Sequence, residues 1–174
     1  MKIPLTYGAY LAVAGIIVNL VCYLLGYHND AAKFETGSRI AQAVGFIITI
    51  VGLVYAMLAT RTASKDQSLS YGRAVGVGAL TTLVSGAISA VYMLIYGLVI
   101  NPEFHELILE MTLAKMPAEQ ADAAAGMMKF FTGPIWTSIM VLFVSPIFGT
   151  VLSLIIAIFV KRAPQVPAVG EAAV

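Results

Sequence analysis

The sequence has a single cysteine and few charged residues. Because Cys22 has no second cysteine to pair with, an intrachain disulfide is excluded. Charged residues make up 11% of the 174 residues, whereas soluble domains contain about 25%. Hydrophobic residues make up 60% of the chain. This composition excludes an ordinary soluble domain and indicates a membrane protein, in which Cys22 is interpreted as a small buried residue of an apolar helix.

Four apolar segments are long enough to cross a bilayer as helices, which takes about 20 residues each. They lie at about 5–26, 38–60, 71–100 and 134–160. The first begins near a lysine, as a signal peptide does, but its apolar run is too long for that role and no A-x-A-like cleavage site follows. We therefore predict an all-α polytopic protein with one transmembrane domain, residues 1–162, and a disordered tail, residues 163–174.

Ionisable side chains are missing from the central part of every predicted span. Arg39 and Arg73 lie at span ends, where long side chains reach the lipid headgroups. Proton relays, voltage sensors and most ion-coupled carriers need charged groups inside the membrane. A proton-coupled carrier is therefore not expected.

The distribution of charge predicts the orientation. Six of the ten cations lie near the termini and in the second loop: Lys2, Arg61, Lys65, Arg73, Lys161 and Arg162. Seven of the nine acids lie in the first and third loops. Because cytoplasmic loops are enriched in lysine and arginine, we predict that both termini are cytoplasmic and that the protein lies in a bacterial inner membrane.

Small or polar residues recur at heptad spacing in the first three spans. Such residues let membrane helices approach closely, since lipid offers no hydrophobic incentive for helix association. The predicted helix-packing residues are Gly8, Ala12, Gly15, Asn19, Gly45, Thr49, Gly52, Gly72, Gly76, Ala79, Gly86 and Ala90. The segments TYGAYLAVAG and SYGRAVGVGA share part of this pattern. They are interpreted either as parallel repeats or as a consequence of similar packing needs.

The third span carries a second, hydroxyl-bearing stripe. Its members are Thr82, Ser85, Ser89, Tyr92 and Tyr96. They are predicted either to line a groove for a ligand or to bond to backbone carbonyls and neighbouring helices. In the fourth span, Pro146 removes a backbone hydrogen bond and bends the helix, and Ser145 is placed to satisfy the freed carbonyl. Asn19 and Gln42 are the side-chain amides of the spans, and each is interpreted as a substrate contact or as a contact between helices.

The third loop is acidic and reads as two amphipathic helices within about 102–131. Each begins with a proline followed by an acid, which complements the helix dipole. Glu103, Glu106 and Glu110 form one acidic face, and His105 points away from it. No metal-binding spacing is present, so no metal or other cofactor is expected. The set Glu103, His105, Glu106 and Glu110 is predicted to be a partner-docking loop or a solvated face.

Three segments of the chain resemble a known bacterial family. They are INPEF…MPAEQADAAAGMMKFFTGP, the entry LSYGRAVGVGAL into the third span, and the exit SPIFGTVLSLIIAIFVKR from the fourth. Over about residues 5–162 the chain is similar to the domain-of-unknown-function family numbered 4199. The resemblance implies a small four-helix inner-membrane protein of bacteria, and it implies no activity.

Three functions remain open from the sequence. The first is a non-catalytic accessory or interaction subunit, bound to other membrane proteins or to itself. The second is a carrier or binder of a lipid or other amphiphile that uses the hydroxyl stripe. The third is a membrane enzyme acting on a lipid-linked substrate, for which we find no catalytic residues. The expected partners are the bilayer and membrane proteins, and no nucleic acid.

Overall fold

A computed structural model describes residues 2–164 as an all-helical chain. The helices are α1 (Lys2–Leu24), α2 (Ala31–Thr62), α3 (Tyr71–Ile95) with a π-helical continuation (Tyr96–Ile100), α4 (Glu103–Leu113), α5 (Ala118–Thr132) and α6 (Pro134–Val160). Four of them, α1, α2, α3 with its continuation, and α6, are long and apolar enough to cross a membrane. The predicted all-α polytopic fold, with helices between the third and fourth spans, is confirmed. Residues 165–174 of the predicted tail lie outside the described residues.

Local sequence signals explain the connection between α1 and α2. Gly26 has a φ of +78°, a left-handed conformation that glycine adopts without strain, and it ends α1. The Asp30 side chain then accepts a hydrogen bond of 2.9 Å from the amide of Ala32 and caps α2. Because of this cap, α2 begins at Ala31, seven residues before the predicted span.

Helix α3 is the centre of the bundle, and its most extensive interface is with α6. Gly78 lies against the Ser153 side chain, and Gly149 of α6 lies against Thr82. Gly86 continues the same face against Ser145 and Pro146. Each contact places a glycine opposite a larger side chain, which allows the two backbones to approach closely.

The contacts of α1 are made by other small residues. Gly8 lies against the Thr81 carbonyl and Val84 of α3, and Gly52 of α2 lies against Leu11. Ala12 and Ala90 are buried. The predicted packing residues that are buried or lie in contacts between helices are Gly8, Ala12, Asn19, Gly52, Gly86 and Ala90.

Four predicted packing glycines make no such contact. A Cβ atom added at Gly15, Gly45, Gly72 or Gly76 would meet no atom within 4 Å. The expected packing through these positions is therefore absent among residues 2–164. For Gly72 and Gly76 the physical reason is the rotation of α3, which turns the face of Gly78 and Thr82 towards α6. The two similar segments also differ, because Gly8 is buried and its counterpart Gly72 is exposed.

The remaining core lies at one end of the bundle, which we call the terminal end because it carries Lys2 and Lys161. Helices α2, α3 and α6 and the α2–α3 loop meet there through Leu53, Ala56, Met57, Leu69, Ala74, Val77, Ile156, Ala157 and Val160. The backbones of Leu69 and Arg162 exchange two hydrogen bonds of 2.9 Å. The opposite end, with α4, α5 and the α1–α2 loop, is called the loop end.

Ser145 satisfies a different carbonyl from the one expected. Its Oγ lies 3.5 Å from the carbonyl oxygen of Thr82 on α3, rather than bonding within α6. Helix α6 stays continuous through Pro146. The serine next to the proline therefore connects two helices.

We predict that Gly149→Ala destabilises the bundle by about 1–3 kcal/mol, because the new methyl group overlaps Thr82 and must push α6 away from α3. Thermal unfolding of the purified protein in detergent measures the change. Gly76→Ala is the matched control, since its methyl group meets nothing within 4 Å. Equal melting temperatures for the two variants would show that the α3–α6 contact tolerates the methyl group.

Candidate functional site at the loop end

A hydrogen-bonded polar cluster joins three parts of the chain at the loop end. The Tyr96 hydroxyl lies 2.6 Å from Nδ1 of His28. Nδ2 of Asn101 donates to the Tyr96 hydroxyl at 3.2 Å and to Oδ1 of Asn29 at 2.9 Å. Both amide hydrogens of Asn101 therefore have an acceptor. Tyr96, His28 and Asn101 are all buried, so the cluster is a fixed internal structure.

Aromatic rings surround this polar cluster. The ring centroid of Phe104 lies 4.9 Å from that of His28 and 5.3 Å from that of Tyr96. Phe34 of α2 lies 5.9 Å from Phe104. The first turn of α4 is thereby packed onto the α1–α2 loop, α2 and the π-helical continuation of α3. The same burial lowers the pKa of His28, because it disfavours the charged imidazolium.

The π-helical turn at the end of α3 shapes this region. The amide of Asn101 donates to the carbonyl of Tyr96 at 2.8 Å, a bond that spans five residues. Gly97, the next residue in the turn, lies directly against the imidazole of His105. A side chain at position 97 would displace that ring, so glycine here permits α4 to pack on α3.

His105 has one polar partner and one unpaired nitrogen. Its Nδ1 lies 2.6 Å from the carbonyl oxygen of Thr132, and since a carbonyl can only accept, Nδ1 carries the proton. Nε2 is buried without a hydrogen-bond partner. Burial lowers the pKa of His105, opposed by the bond to Thr132. His105 thus connects α4 to the end of α5.

The carboxylates of α4 form an open acidic groove beside the cluster. Its volume is about 230 Å³, and it is lined by His28, Asn29, Glu103, Glu106, Leu107 and Glu110. The three glutamates are exposed, and none forms an ion pair among residues 2–164. His105 lies instead in a second groove of about 270 Å³ against α5. The structure therefore brings together three of the four residues predicted for docking and separates the histidine.

The hydroxyl stripe of α3 does not form one groove. Thr82 is buried against Gly149 and bonds to its own helix, and Tyr96 belongs to the polar cluster. Tyr92 donates to Oδ1 of Asn19 at 2.8 Å and connects α3 to α1. Ser85 and Ser89 are half-buried and form no hydrogen bond among the described residues. A ligand role for these two serines stays a prediction.

Sequence reasoning missed the pairing of His28 with Tyr96. The available signal was their position, since both lie near span ends that emerge on the same side of the bundle. Within residues 2–164, no three histidine, cysteine, aspartate or glutamate side chains come together as metal ligands.

The fold and this site define a class: an all-α polytopic membrane protein whose loop end is covered by two short helices. Residues 6–162 match the family described as "Protein of unknown function (DUF4199)", and the chain belongs to this family. The resemblance seen in the sequence is thereby confirmed. No curated protein and no solved structure matches the chain.

We predict that Tyr96→Phe lowers the free energy of local unfolding of the loop end by about 1–3 kcal/mol. The reason is that Asn101 and Nδ1 of His28 lose a buried hydrogen-bond partner. Hydrogen exchange measured by mass spectrometry is expected to rise across α4. Tyr10→Phe serves as the control, since Tyr10 is 63% exposed. Unchanged exchange in α4 would show that the hydroxyl does not hold this helix in place.

Proposed function

We propose that the protein is a non-catalytic accessory subunit of a membrane complex, and that its acidic groove binds a basic segment of a partner membrane protein. The observation that carries the proposal is the set of three exposed carboxylates, Glu103, Glu106 and Glu110, held on one face of α4. The wall of the groove includes His28, a buried residue of the polar cluster. The groove is therefore built on a part of the protein that is already ordered, which reduces the entropic cost of binding.

Electrostatics favour a positively charged occupant. Glutamates three and four residues apart on a helix repel each other, and each such pair costs about 0.2–0.5 kcal/mol. Lys115 and Lys129, the cations of α4–α5, form no ion pair with them. A lysine- or arginine-rich segment would relieve this repulsion and would also speed association.

The roles of the two histidines support binding rather than catalysis. General acid–base catalysis needs a titratable group within reach of a substrate, with a pKa near the working pH. His28 bonds through Nδ1 to Tyr96, and His105 bonds through Nδ1 to Thr132. Burial lowers the pKa of both histidines and favours their neutral forms at pH 7. His28 joins the α1–α2 loop to the end of α3, and His105 joins α4 to α5.

The partner test compares two variants that each remove two charges. We expect Glu106→Gln/Glu110→Gln to reduce partner binding at least about tenfold, since each lost charge contact at an interface weakens the complex. A photo-crosslinking residue in place of Leu107 captures the partner, and mass spectrometry maps the contacted segment. Glu119→Gln/Asp122→Asn on α5 is the control.

Two outcomes would overturn this proposal. One is an equal crosslinking yield from the groove variant and from wild type. The other is a crosslinked segment without an excess of lysine and arginine. A segment that is rich in these residues, and that is lost only from the groove variant, supports it.

The orientation belongs to the same proposal, which places the loop end outside the cytoplasm of a bacterium. The terminal end carries Lys2, Arg61, Lys65, Arg73, Lys161 and Arg162, and its acid among residues 2–164 is Asp66. Such an excess of cations favours the cytoplasmic side of the inner membrane. The basic segment of the partner would then lie on the outer side.

The orientation is tested with single cysteines in a Cys22→Ala background. Ala114→Cys at the loop end is expected to react with a membrane-impermeant maleimide in intact spheroplasts. Ala63→Cys at the terminal end is expected to react only after lysis, and both alanines are exposed in the structure. The reverse pattern would place the termini outside.

A further inference from the structure

A further cavity lies at the terminal end, at the opposite end of the bundle from the acidic groove. Its volume is about 540 Å³, and it is formed by α1, α2, α3 and the first residue after α2. The lining residues are Lys2, Ile3, Pro4, Thr60, Ala63, Arg73, Gly76, Val77 and Leu80. This volume falls within the range of about 300–1,000 Å³ that small-molecule sites occupy.

Two cations from different helices line this cavity. Lys2 belongs to α1 and Arg73 belongs to α3, and within residues 2–164 no carboxylate lines the cavity. Neither cation forms an ion pair or a side-chain hydrogen bond with any of residues 2–164. Arg61, by contrast, has a hydrogen-bond partner, since its Nη1 donates to the Val160 carbonyl at 3.3 Å. The described part of the chain thus places two cationic side chains at this cavity and no anionic partner for either.

Asp66 is the acidic residue that residues 2–164 place at the terminal end, and its carboxylate also has hydrogen-bond partners. Its Oδ2 accepts from the Ser68 hydroxyl at 2.7 Å, and its Oδ1 accepts from the Ser68 amide at 3.3 Å. These hydrogen bonds lower the pKa of Asp66 and keep it charged. Asp66 bonds within its own loop and is not one of the residues that line the cavity, so the charged side chains at the cavity wall are Lys2 and Arg73.

The rest of the cavity wall is apolar. Ile3, Pro4, Val77 and Leu80 line it together with the backbone of Gly76. Val77 and Leu80 lie farther along α3 than Arg73, so they continue the cavity wall into the membrane-spanning part of the helix. A charged mouth next to an apolar wall matches a molecule with an anionic head and a hydrocarbon chain.

We propose that this cavity binds an anionic phospholipid, with its phosphate between Lys2 and Arg73 and an acyl chain along Val77 and Leu80. Arginine and lysine are the side chains that bind phosphate oxygens, by hydrogen bonds and by charge. Basic pockets between membrane helices bind anionic headgroups in this way. The absence of a side chain at Gly76 leaves the space open, which gives a role to a glycine that packs against no helix of the described chain. The site is independent of the acidic groove.

The test is native mass spectrometry of the full-length protein in detergent, titrated with phosphatidylglycerol. Phosphatidylcholine is the zwitterionic comparison, and inorganic phosphate is the soluble competitor. We expect phosphatidylglycerol to bind at least about tenfold more tightly than phosphatidylcholine, since each cation near an anionic headgroup adds to the affinity.

Lys2→Gln/Arg73→Gln is expected to abolish the preference for phosphatidylglycerol. Lys65→Gln/Lys161→Gln removes the same amount of charge from the same end of the bundle, outside the cavity. This control variant is expected to retain the preference for phosphatidylglycerol. Gly76→Leu is expected to obstruct the cavity that Gly76 lines, and its Cβ meets no atom within 4 Å. A retained melting temperature verifies that each variant is folded.

Three results would overturn the proposal. The first is an equal loss of preference in the Lys65→Gln/Lys161→Gln variant, which would show a general effect of surface charge. The second is full lipid binding by folded Gly76→Leu, which would place the lipid elsewhere. The third is displacement of the lipid by inorganic phosphate at equal concentration, which would make a free phosphate compound the ligand.

Discussion

The close approach of α3 and α6 is the contact on which the positions of the other helices depend. It is reciprocal, because Gly78 of α3 receives Ser153 and Gly149 of α6 receives Thr82. Both hydroxyls donate to carbonyls of their own helices, Ser153 at 2.6 Å and Thr82 at 3.1 Å, so no polar group is left unpaired between the helices. In lipid, where hydrophobicity does not drive helices together, close packing of this kind stabilises the bundle.

With α3 packed against α6, the two ends of α3 lie next to sites of opposite charge. At the loop end, the π-helical turn places Tyr96 in contact with His28 and Gly97 against His105, so α4 is packed firmly and its glutamates face outward. At the terminal end, Arg73 joins Lys2 at a cavity that Gly76 leaves open. The two proposed sites differ in charge and in ligand, and no residue lines both of them.

The sequence was sufficient to predict the helices, but not which face of each helix packs against a neighbour. Runs of apolar residues predicted four spans, and proline–acid starts predicted the amphipathic helices, because both depend on local composition. Helix α3, however, carries a small-residue stripe through Gly72 and Gly76 and another through Gly78 and Thr82. Both stripes have helical spacing, so periodicity alone does not tell which one meets a neighbour. The rotation of α3 against α6 packs Gly78 and Thr82, and of the first stripe it packs Gly86 but leaves Gly72 and Gly76 without a neighbour.

By itself, the sequence determined the all-α class, the number of candidate spans, the acidic face of α4 and the separation of His105 from that face, since each follows from helical geometry within one segment. Only the tertiary structure decided that His28 meets Tyr96, 68 residues away, and that Lys2 meets Arg73 at one cavity. Those encounters depend on which helix ends come together in the bundle. That choice is made by long-range packing, and no local pattern records it.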